Sequence, residues 1–347
     1  MTTSRRHFGQ ALLAAAAAAP ALAHAAAGPR PAIHARRLRP GDTIGLVSPA
    51  NATYEREPLQ IAIELLQALG FKVKLGASVA ARYGQFAGTD AQRAADINAM
   101  FADDAVAGII AMTGGSGCNR IVDKLDYKLI AAKPKFFGGF SDLTSLINAI
   151  HTQTGLVTFH CPVAGSEWNG FSLASFRAIV MEGQAYTLRN PSGERGDNLV
   201  QTQDRITTIR GGKARGRLLG GNLAVLSSLA GSAYYPDFRG AVLFLEEINE
   251  YIYRCDRMLS TLRLAGSLDA LAGVVIGKFT KCEPGEGNYG TLTLDEVFDD
   301  YFKGLNVPVF RGAMIGHIKR KHTLPVGAEV EIDADAGTIE LLRPATV

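Results

Sequence analysis

The chain has 347 residues, of which 47% are hydrophobic and 38 are glycine. This length allows two domains of ordinary size, and the composition excludes a disordered chain and favours a globular α/β protein. The formal net charge is only +3, and no long basic run follows the N-terminus, so a nucleic acid is not expected as a partner.

Residues 1–27 have the features of a signal peptide for twin-arginine export. Arg5 and Arg6 precede an alanine-rich run, and residues 21–23 have the A-x-A form of a cleavage site. The apolar run, residues 11–23, is shorter than the about 20 residues that a membrane helix needs. We therefore predict a periplasmic protein with no stable membrane span after cleavage. An uncleaved membrane anchor is the alternative.

Short apolar segments alternate with helical patterns between residues 40 and 165, the predicted N-terminal domain. Strands are predicted at residues 43–47, 71–75, 106–112, around 136 and at 156–160, and helices at 58–69, 89–101 and after residue 141. This alternation predicts a parallel, doubly wound sheet of the flavodoxin-like type, covered on both faces. Ligands bind such sheets beyond the carboxyl ends of the strands.

The periodicity fades over residues 166–209, which we interpret as a linker between two domains. Residues 210–347 form the predicted C-terminal domain. Within it, strands are predicted at residues 216–219, 241–245, 273–277 and 307–310, helices at 223–229, 253–264 and 294–302, and a hairpin at 329–341. We expect a smaller α/β domain with a β-rich, barrel-like core.

Ser141 lies at the predicted turn between a buried strand and a helix. Leu143, Leu146, Ile147 and Ile150 have the spacing of one apolar helix face that begins just after the serine. The serine hydroxyl would then lie beside the first N–H groups of the helix, which can stabilise an oxyanion. The sequence lacks the second glycine of the G-x-S-x-G motif, and helix capping is the alternative role for this serine.

Other segments supply groups that could work with this serine. The glycine-rich loop of residues 113–120 follows a predicted strand and could present N–H groups to an anion, or be a plain tight turn. His160 and His317 each close or follow an apolar strand, and either could be a general base or a structural histidine. Glu246 follows five apolar residues, where an unpaired carboxylate is costly, so we expect it to have a partner, catalytic or structural.

The four cysteines, Cys118, Cys161, Cys255 and Cys282, are widely spaced and include no C-x-x-C pair. This spacing is typical of neither a zinc site nor a dense disulfide framework, and no metal site is predicted. Export would permit a disulfide, but the sequence does not pair the cysteines. Cys118, in the glycine-rich loop, is an alternative nucleophile.

The order of these motifs resembles the LD-carboxypeptidases, also called muramoyltetrapeptide carboxypeptidases, and the related microcin C self-immunity hydrolases. The resemblance covers most of the chain after residue 27. The segments that carry it are Gly41-Asp42-Thr43-Ile44, Ser48-Pro49-Ala50, Gly114-Gly115-Ser116-Gly117, Gly139-Phe140-Ser141-Asp142, Gly220-Gly221-Asn222-Leu223, Leu245-Glu246-Glu247, Tyr253-Arg254, Gly316-His317 and Leu324-Pro325-Val326-Gly327.

The resemblance implies a serine carboxypeptidase that releases terminal D-alanine from murein tetrapeptide. It places the nucleophile at Ser141, the orienting carboxylate at Glu246 and the general base at His317. It places the oxyanion hole at the backbone N–H groups of Gly115 and Asp142. It also implies that no metal or organic cofactor is needed, that the substrate is a peptidoglycan-derived peptide, and that the protein forms a homodimer.

Two residues depart from the family pattern. Ser116 stands where the family often has tyrosine, and Glu247 where it often has aspartate, so substrate contacts are expected to differ. Arg120 and Arg254 are candidates for binding a substrate carboxylate, although surface or ion-pair roles fit them equally well. Hydrolysis of another peptidyl or acylated small molecule, and a non-catalytic periplasmic ligand-binding protein, remain as alternative functions.

Overall fold

The computed structural model describes residues 30–286 and 290–347, so the predicted signal peptide, residues 1–27, lies outside the described residues. The strands in chain order are β1 Thr43–Val47, β2 Lys72–Leu75, β3 Val106–Ala111, β4 Phe136–Gly139, β5 Thr158–His160, β6 Thr187–Arg189, β7 Thr207–Arg210, β8 Lys213–Asn222, β9 Ala241–Ile248, β10 Gly273–Thr280, β11 Val309–Arg311, β12 Leu324–Val326, β13 Glu329–Asp333 and β14 Thr338–Leu341. The α-helices are α1 Arg56–Ala68, α2 Asp90–Ala102, α3 Tyr127–Ala132, α4 Thr144–Thr154, α5 Gly170–Phe176, α6 Leu223–Ser228, α7 Ile252–Leu264 and α8 Leu294–Phe298.

The first sheet has the strand order β12-β5-β4-β3-β1-β2. Strands β1 to β5 are parallel to one another, and their order is that of flavodoxin-like folds. Every residue of β3 and β4 is buried, as expected where helices cover both faces of a parallel sheet. The predicted fold class is confirmed for this part of the chain. Because β3 and β4 are neighbours, the loops that follow them lie at the same edge of the sheet.

The second sheet has eight strands in the order β6-β14-β13-β8-β9-β10-β11-β7. The four strands β8 to β11 are parallel, and the outer strands are antiparallel. The predicted α/β class is confirmed, but the expected barrel-like core is not found in the described residues, where β6 and β7 remain at opposite edges of an open sheet. Parallel strands need crossover connections, and α6 and α7 provide them between β8, β9 and β10, so these strands form a layered sheet.

Helix α2 begins where its sequence predicts. The hydroxyl of Thr89 accepts a hydrogen bond from the N–H of Gln92, and the side chain of Gln92 accepts one from the N–H of Thr89. This reciprocal capping box satisfies two backbone donors that the helix itself cannot. The longest helices of residues 30–286 and 290–347 have 13 residues, and none in these ranges is long and apolar enough to cross a membrane.

Several parts of the structure were not predicted, among them the short helix α3. Residues 166–209 contain α5, β6 and the start of β7, whose short lengths leave little periodicity to detect. Residues 324–326, from the C-terminal part of the chain, form β12, which pairs antiparallel with β5 and completes the first sheet. The domain boundaries proposed from the sequence stay predictions.

Helix α4 joins the two sheets through buried polar groups. The hydroxyl of Thr144 accepts a hydrogen bond of 3.0 Å from the N–H of Asn222 in β8. The side-chain amide of Asn148 donates to the carbonyl of Gly220, at 2.9 Å. Gly221 has a φ angle of 146°, and a Cβ atom on this residue would lie 2.5 Å from the hydroxyl oxygen of Thr144. The approach of helix and strand therefore requires glycine at this position.

We expect Gly221→Ala to lower the free energy of unfolding by about 2–5 kcal/mol, because the methyl group would both strain the backbone and collide with Thr144. Gly231→Ala is the matched control, since Gly231 also has a positive φ but open space around its Cβ position. The control should lose only about 1–2 kcal/mol. Urea denaturation measures both losses, and equal values would contradict the close packing of α4 on β8.

Candidate active site

Ser141 has an unusual backbone conformation at the carboxyl end of β4. Its φ angle is 65°, which is in the left-handed region. This conformation costs a non-glycine residue on the order of 1–3 kcal/mol and is common at functional sites. A short 3-10 turn, Ser141–Leu143, leads into α4, and no side chain caps the start of either element. The Ser141 hydroxyl is therefore not a helix cap, which was its alternative role.

One imidazole connects Ser141 to a buried carboxylate. Nε2 of His317 lies 2.9 Å from Oγ of Ser141, and Nδ1 of the same ring lies 2.7 Å from Oε2 of Glu246. Ser141 follows a strand of the first sheet, whereas Glu246 lies in β9 and His317 follows β11 of the second sheet. The structure thus brings together three side chains that the sequence had singled out, from distant parts of the chain.

The contact with Glu246 determines which nitrogen of His317 carries the proton. Glu246 is fully buried, and its carboxylate can only accept a hydrogen bond, so Nδ1 holds the proton and Nε2 is free to accept one from Ser141. Gly316 has φ 111, and a Cβ atom at this position would lie 2.7 Å from Oε2 of Glu246. Glycine before the histidine therefore lets the carboxylate approach the ring.

The glycine-rich loop lies directly against the serine. Gly114 packs against Ser141 so closely that a Cβ atom on the glycine would lie 2.9 Å from Cβ of the serine. The next residue, Gly115, has φ 120. Within the described part of the chain, the N–H groups of Gly115 and Asp142 donate to no other protein group. Both residues were predicted as oxyanion donors, a role that requires N–H groups without another acceptor.

Several side chains hold the glycine-rich loop in place, and the sequence analysis missed the roles of Asn51 and of the Asp142 carboxylate. Oδ1 of Asn51 accepts a hydrogen bond of 3.0 Å from the N–H of Ser116. Oδ2 of Asp142 accepts one of 2.8 Å from the N–H of Cys118. Asp142 thus ties the loop to the turn that carries Ser141. The only signal in the sequence was the position of Asn51 directly after the Ser-Pro-Ala segment at the end of β1.

Phe140, the residue before Ser141, packs against three charged or titratable side chains. Its ring centroid lies 4.9 Å from that of His317 and 5.9 Å from that of His160, and the Lys321 ammonium lies 4.2 Å from the ring centre. Burial lowers the pKa of His160 to about 4, and neither of its ring nitrogens has a hydrogen-bond partner in the described residues. His160 is therefore a neutral packing residue, and His317 is the histidine that contacts the serine.

Cys118 lacks the properties of a nucleophile in this structure. Its side chain is fully buried, and burial, followed by the nearby Asp142 carboxylate, raises the pKa of its thiol well above the ordinary value. The reactive form of cysteine is the thiolate, which such surroundings disfavour. The described residues also contain no group of three or more His, Cys, Asp or Glu side chains arranged to hold a metal ion.

The two arginines proposed to bind substrate both have carboxylate partners. Arg120 makes a bidentate pair with Asp90, with contacts of 2.9–3.1 Å. Arg254 is held more loosely, at 3.5 Å from Oε2 of Glu250, and also donates to the hydroxyl of Tyr253. Both arginine side chains are about half exposed. Arg254 therefore has more freedom to exchange its partner for a ligand carboxylate.

Glu247, next to Glu246 in β9, is a second buried acid. Its carboxylate accepts hydrogen bonds from the side-chain amide of Asn222 and from the N–H groups of Ala224 and Ile248, at 2.7–3.0 Å. These three donors favour the charged form, but burial outweighs them and raises the pKa of Glu247 to about 7. The side chain connects β9 to the start of α6.

Comparison with known proteins identifies related chains over both sheets. The family model for the LD-carboxypeptidase N-terminal domain matches residues 44–161, and that for the C-terminal domain matches residues 215–332. The probable murein peptide carboxypeptidase of Bacillus subtilis is 36% identical over 304 residues, which are 86% of this chain and 91% of the relative.

Solved structures with the same fold include a self-immunity protein and a carboxypeptidase. The microcin C7 self-immunity protein MccF in its apo state superposes with a TM-score of 0.81 at 28% identity, over 91% of this chain and all of that one. The muramoyltetrapeptide carboxypeptidase from Oxalobacter formigenes superposes with a TM-score of 0.71, also at 28% identity, over 86% of this chain and 97% of that one. The likeness therefore covers both sheets.

We expect Glu247 to make the protein less stable as the pH rises. Because its pKa is raised from an ordinary value near 4.5 to about 7, the folded protein keeps a proton that the unfolded chain has already released. The free energy of unfolding should therefore fall between about pH 4.5 and pH 7, by about 3 kcal/mol from this group. Urea denaturation across this range should show a smaller fall for Glu247→Gln than for the wild type. Equal falls would contradict the raised pKa.

Proposed function

Since the chain belongs to the LD-carboxypeptidase family, we propose that it is a serine carboxypeptidase that cleaves the L,D-peptide bond of murein tetrapeptide and releases terminal D-alanine. The observation that carries this proposal is the hydrogen bonding of one imidazole, His317, to both Ser141 and Glu246. A hydroxyl, a base and a buried carboxylate in this order are the arrangement that activates a serine nucleophile.

In the proposed mechanism, Nε2 of His317 removes the proton from Ser141 as its oxygen attacks the substrate carbonyl carbon. The resulting imidazolium is stabilised by the Glu246 carboxylate beside Nδ1. His317 then gives the proton to the nitrogen of the leaving D-amino acid, and the acyl group remains on the serine. A water molecule, deprotonated by the same imidazole, hydrolyses this ester and restores the enzyme.

The negative oxygen of the tetrahedral intermediate would bind to the N–H groups of Gly115 and Asp142. Removing one such donor from a serine hydrolase typically costs about 10²–10³ in rate. Their position depends on the hydrogen bond between the Asp142 carboxylate and the N–H of Cys118. The side chain of Asp142 would thus hold in place the loop that carries the other donor, Gly115.

A carboxypeptidase must also recognise the free carboxylate at the end of its substrate. A guanidinium group suits this task because it can bind both carboxylate oxygens at once. Of the two candidates from the sequence, we favour Arg254, because its contact with Glu250 is long at 3.5 Å. Arg120 would first have to give up a bidentate pair with Asp90.

The N-terminal segment, residues 1–27, fits a role outside the cytoplasm. We propose that residues 1–27 direct export by the twin-arginine route and that the mature protein acts on peptidoglycan-derived peptides in the periplasm. A homodimer, implied by the family resemblance, also remains a proposal. A protein in this role needs no helix that spans the membrane.

A second candidate is hydrolysis of a different peptidyl or acylated small molecule. The fold similarity to the microcin C7 self-immunity protein, with a TM-score of 0.81, favours this alternative. Ser116 and Glu247 stand where the resembling family often has other residues, and Ser116 lies in the loop beside Ser141. Both candidates use the same serine, so the substrate decides between them.

We expect the wild-type protein to release D-alanine from murein tetrapeptide and Ser141→Ala to lower kcat/KM by at least about 10³-fold, because the variant has no nucleophile. Mass spectrometry of the peptide before and after incubation measures the loss of one residue. Ser227→Ala is the matched control, since this hydroxyl hydrogen-bonds within α6 to the carbonyl of Ala224.

If the wild type leaves the tetrapeptide intact but hydrolyses an aminoacyl or peptidyl nucleotide analogue, the second candidate is correct. If it binds the peptide without cleaving any of these compounds, the protein is a binding protein. Activity retained in Ser141→Ala would contradict the proposed nucleophile.

We expect Glu246→Gln to lower kcat by about 10²–10⁴-fold, because the amide can donate to Nδ1 and so favours the wrong tautomer of His317. Steady-state kinetics should show a much smaller change in KM, since Glu246 does not face the substrate. Glu329→Gln, an exposed glutamate at the start of β13, is the control and should retain activity. An unchanged kcat in Glu246→Gln would show that the carboxylate does not orient the base.

A further inference from the structure

Cys255 and Cys282 come together next to the carboxyl end of β10. Cys255 is fully buried in the first turn of α7, and Cys282 lies two residues after β10 with its side chain partly exposed. They are 27 positions apart in the sequence, which gave no basis for pairing them. In the structure, each thiol is the principal influence on the pKa of the other.

The backbone holds the two cysteine-bearing segments side by side. Ile248, at the end of β9, pairs with Thr280, at the end of β10. Further along, the N–H of Ile252 donates a hydrogen bond of 2.8 Å to the carbonyl of Glu283. Cys282 therefore lies between two points at which its segment is attached to the stretch that runs from the end of β9 into α7. The backbone thus places the two cysteines close to each other.

The two thiols have unequal chemistry. The interaction with Cys255 lowers the pKa of Cys282, whereas the Cys282 side chain and then burial raise the pKa of Cys255. Attack on a disulfide requires a thiolate that a reagent can reach. Cys282 is the partly exposed thiol and the one whose pKa is lowered, so it is suited to react first, and the buried Cys255 is suited to react second.

We propose that Cys255 and Cys282 form an intramolecular disulfide when the protein meets a thiol–disulfide oxidant. The Cys282 thiolate attacks one sulfur of the oxidant's disulfide, which forms a mixed disulfide and releases the first thiol. Cys255 then loses its proton and attacks Sγ of Cys282, which releases the second thiol. The two cysteines together lose two electrons and two protons, and the oxidant's disulfide is reduced to two thiols.

The other two cysteines lack this arrangement. Cys118 and Cys161 are both fully buried, and burial raises the pKa of each thiol, with no second thiol among the groups that influence either. Both should remain free under the same conditions, so they serve as internal references. The disulfide would form whether or not the protein is a peptidase. Export would only provide an oxidising compartment.

The test uses the purified protein, incubated with oxidised glutathione or with a reductant, then denatured and alkylated. Mass spectrometry should find four alkylated cysteines after reduction and two after oxidation, with Cys255 and Cys282 joined in a digest made without reductant. Four alkylated cysteines after oxidation, or a disulfide that includes Cys118 or Cys161, would overturn the proposal.

Variants test the order of attack in the same assay. Cys255→Ser should retain one glutathione on Cys282, because the second thiol is missing, whereas Cys282→Ser should retain none on the buried Cys255. A stable glutathione adduct on Cys282 of the wild type, with Cys255 free, would also overturn the proposal. Circular dichroism of each variant checks that it is folded. The wild-type result decides the matter if Cys255→Ser does not fold.

Discussion

The hydrogen bond between His317 and Ser141 crosses from one sheet to the other, and the site depends on that crossing. A shift of about 1 Å between the sheets would remove a contact of 2.9 Å from hydrogen-bonding range. The buried contacts of α4 with β8 resist such a shift, because Thr144 and Asn148 replace water as hydrogen-bond partners of the Gly220–Asn222 backbone. The precision of the site is thus set by polar groups that lie behind it.

The carboxyl end of β9 carries two adjacent buried acids that have different partners. Because successive side chains in a strand point to opposite faces, Glu246 reaches the imidazole and Glu247 reaches the start of α6. One acid therefore hydrogen-bonds the imidazole of His317, and the other fastens the connection that follows β8. Burying two carboxyl groups is costly, and both lie at the carboxyl end of one strand, β9.

Much of the fold could be predicted from the sequence because regular alternation of strands and helices determines sheet type. The strand β12 could not, since three residues with a central proline carry no periodic signal, and its partner β5 is more than 160 positions away. The sequence also did not predict that the second sheet is open. Strand patterns indicate which residues are buried, but not whether the outermost strands of a sheet meet.

Residue patterns predicted some parts of the candidate site but not others. Ser141 stood out from its position at a turn, whereas residue patterns alone did not distinguish His317 from His160, because both follow apolar strands. Only the family resemblance chose between them. Asn51 and the carboxylate of Asp142 hold loop N–H groups, and such contacts follow from the path of the backbone, so they leave no spacing for a sequence pattern to detect.

The position of β12 has a consequence for biosynthesis. During translation, β5 leaves the ribosome as an edge strand, and its partner follows only after residue 324 has been made. At about 5–20 residues per second, this interval is roughly 10–30 s. The nascent first sheet must therefore exist for that time with one edge unpaired, where another strand could add to it. The chain closes this edge with a strand of its own, so the first sheet is not complete until that later strand has been made.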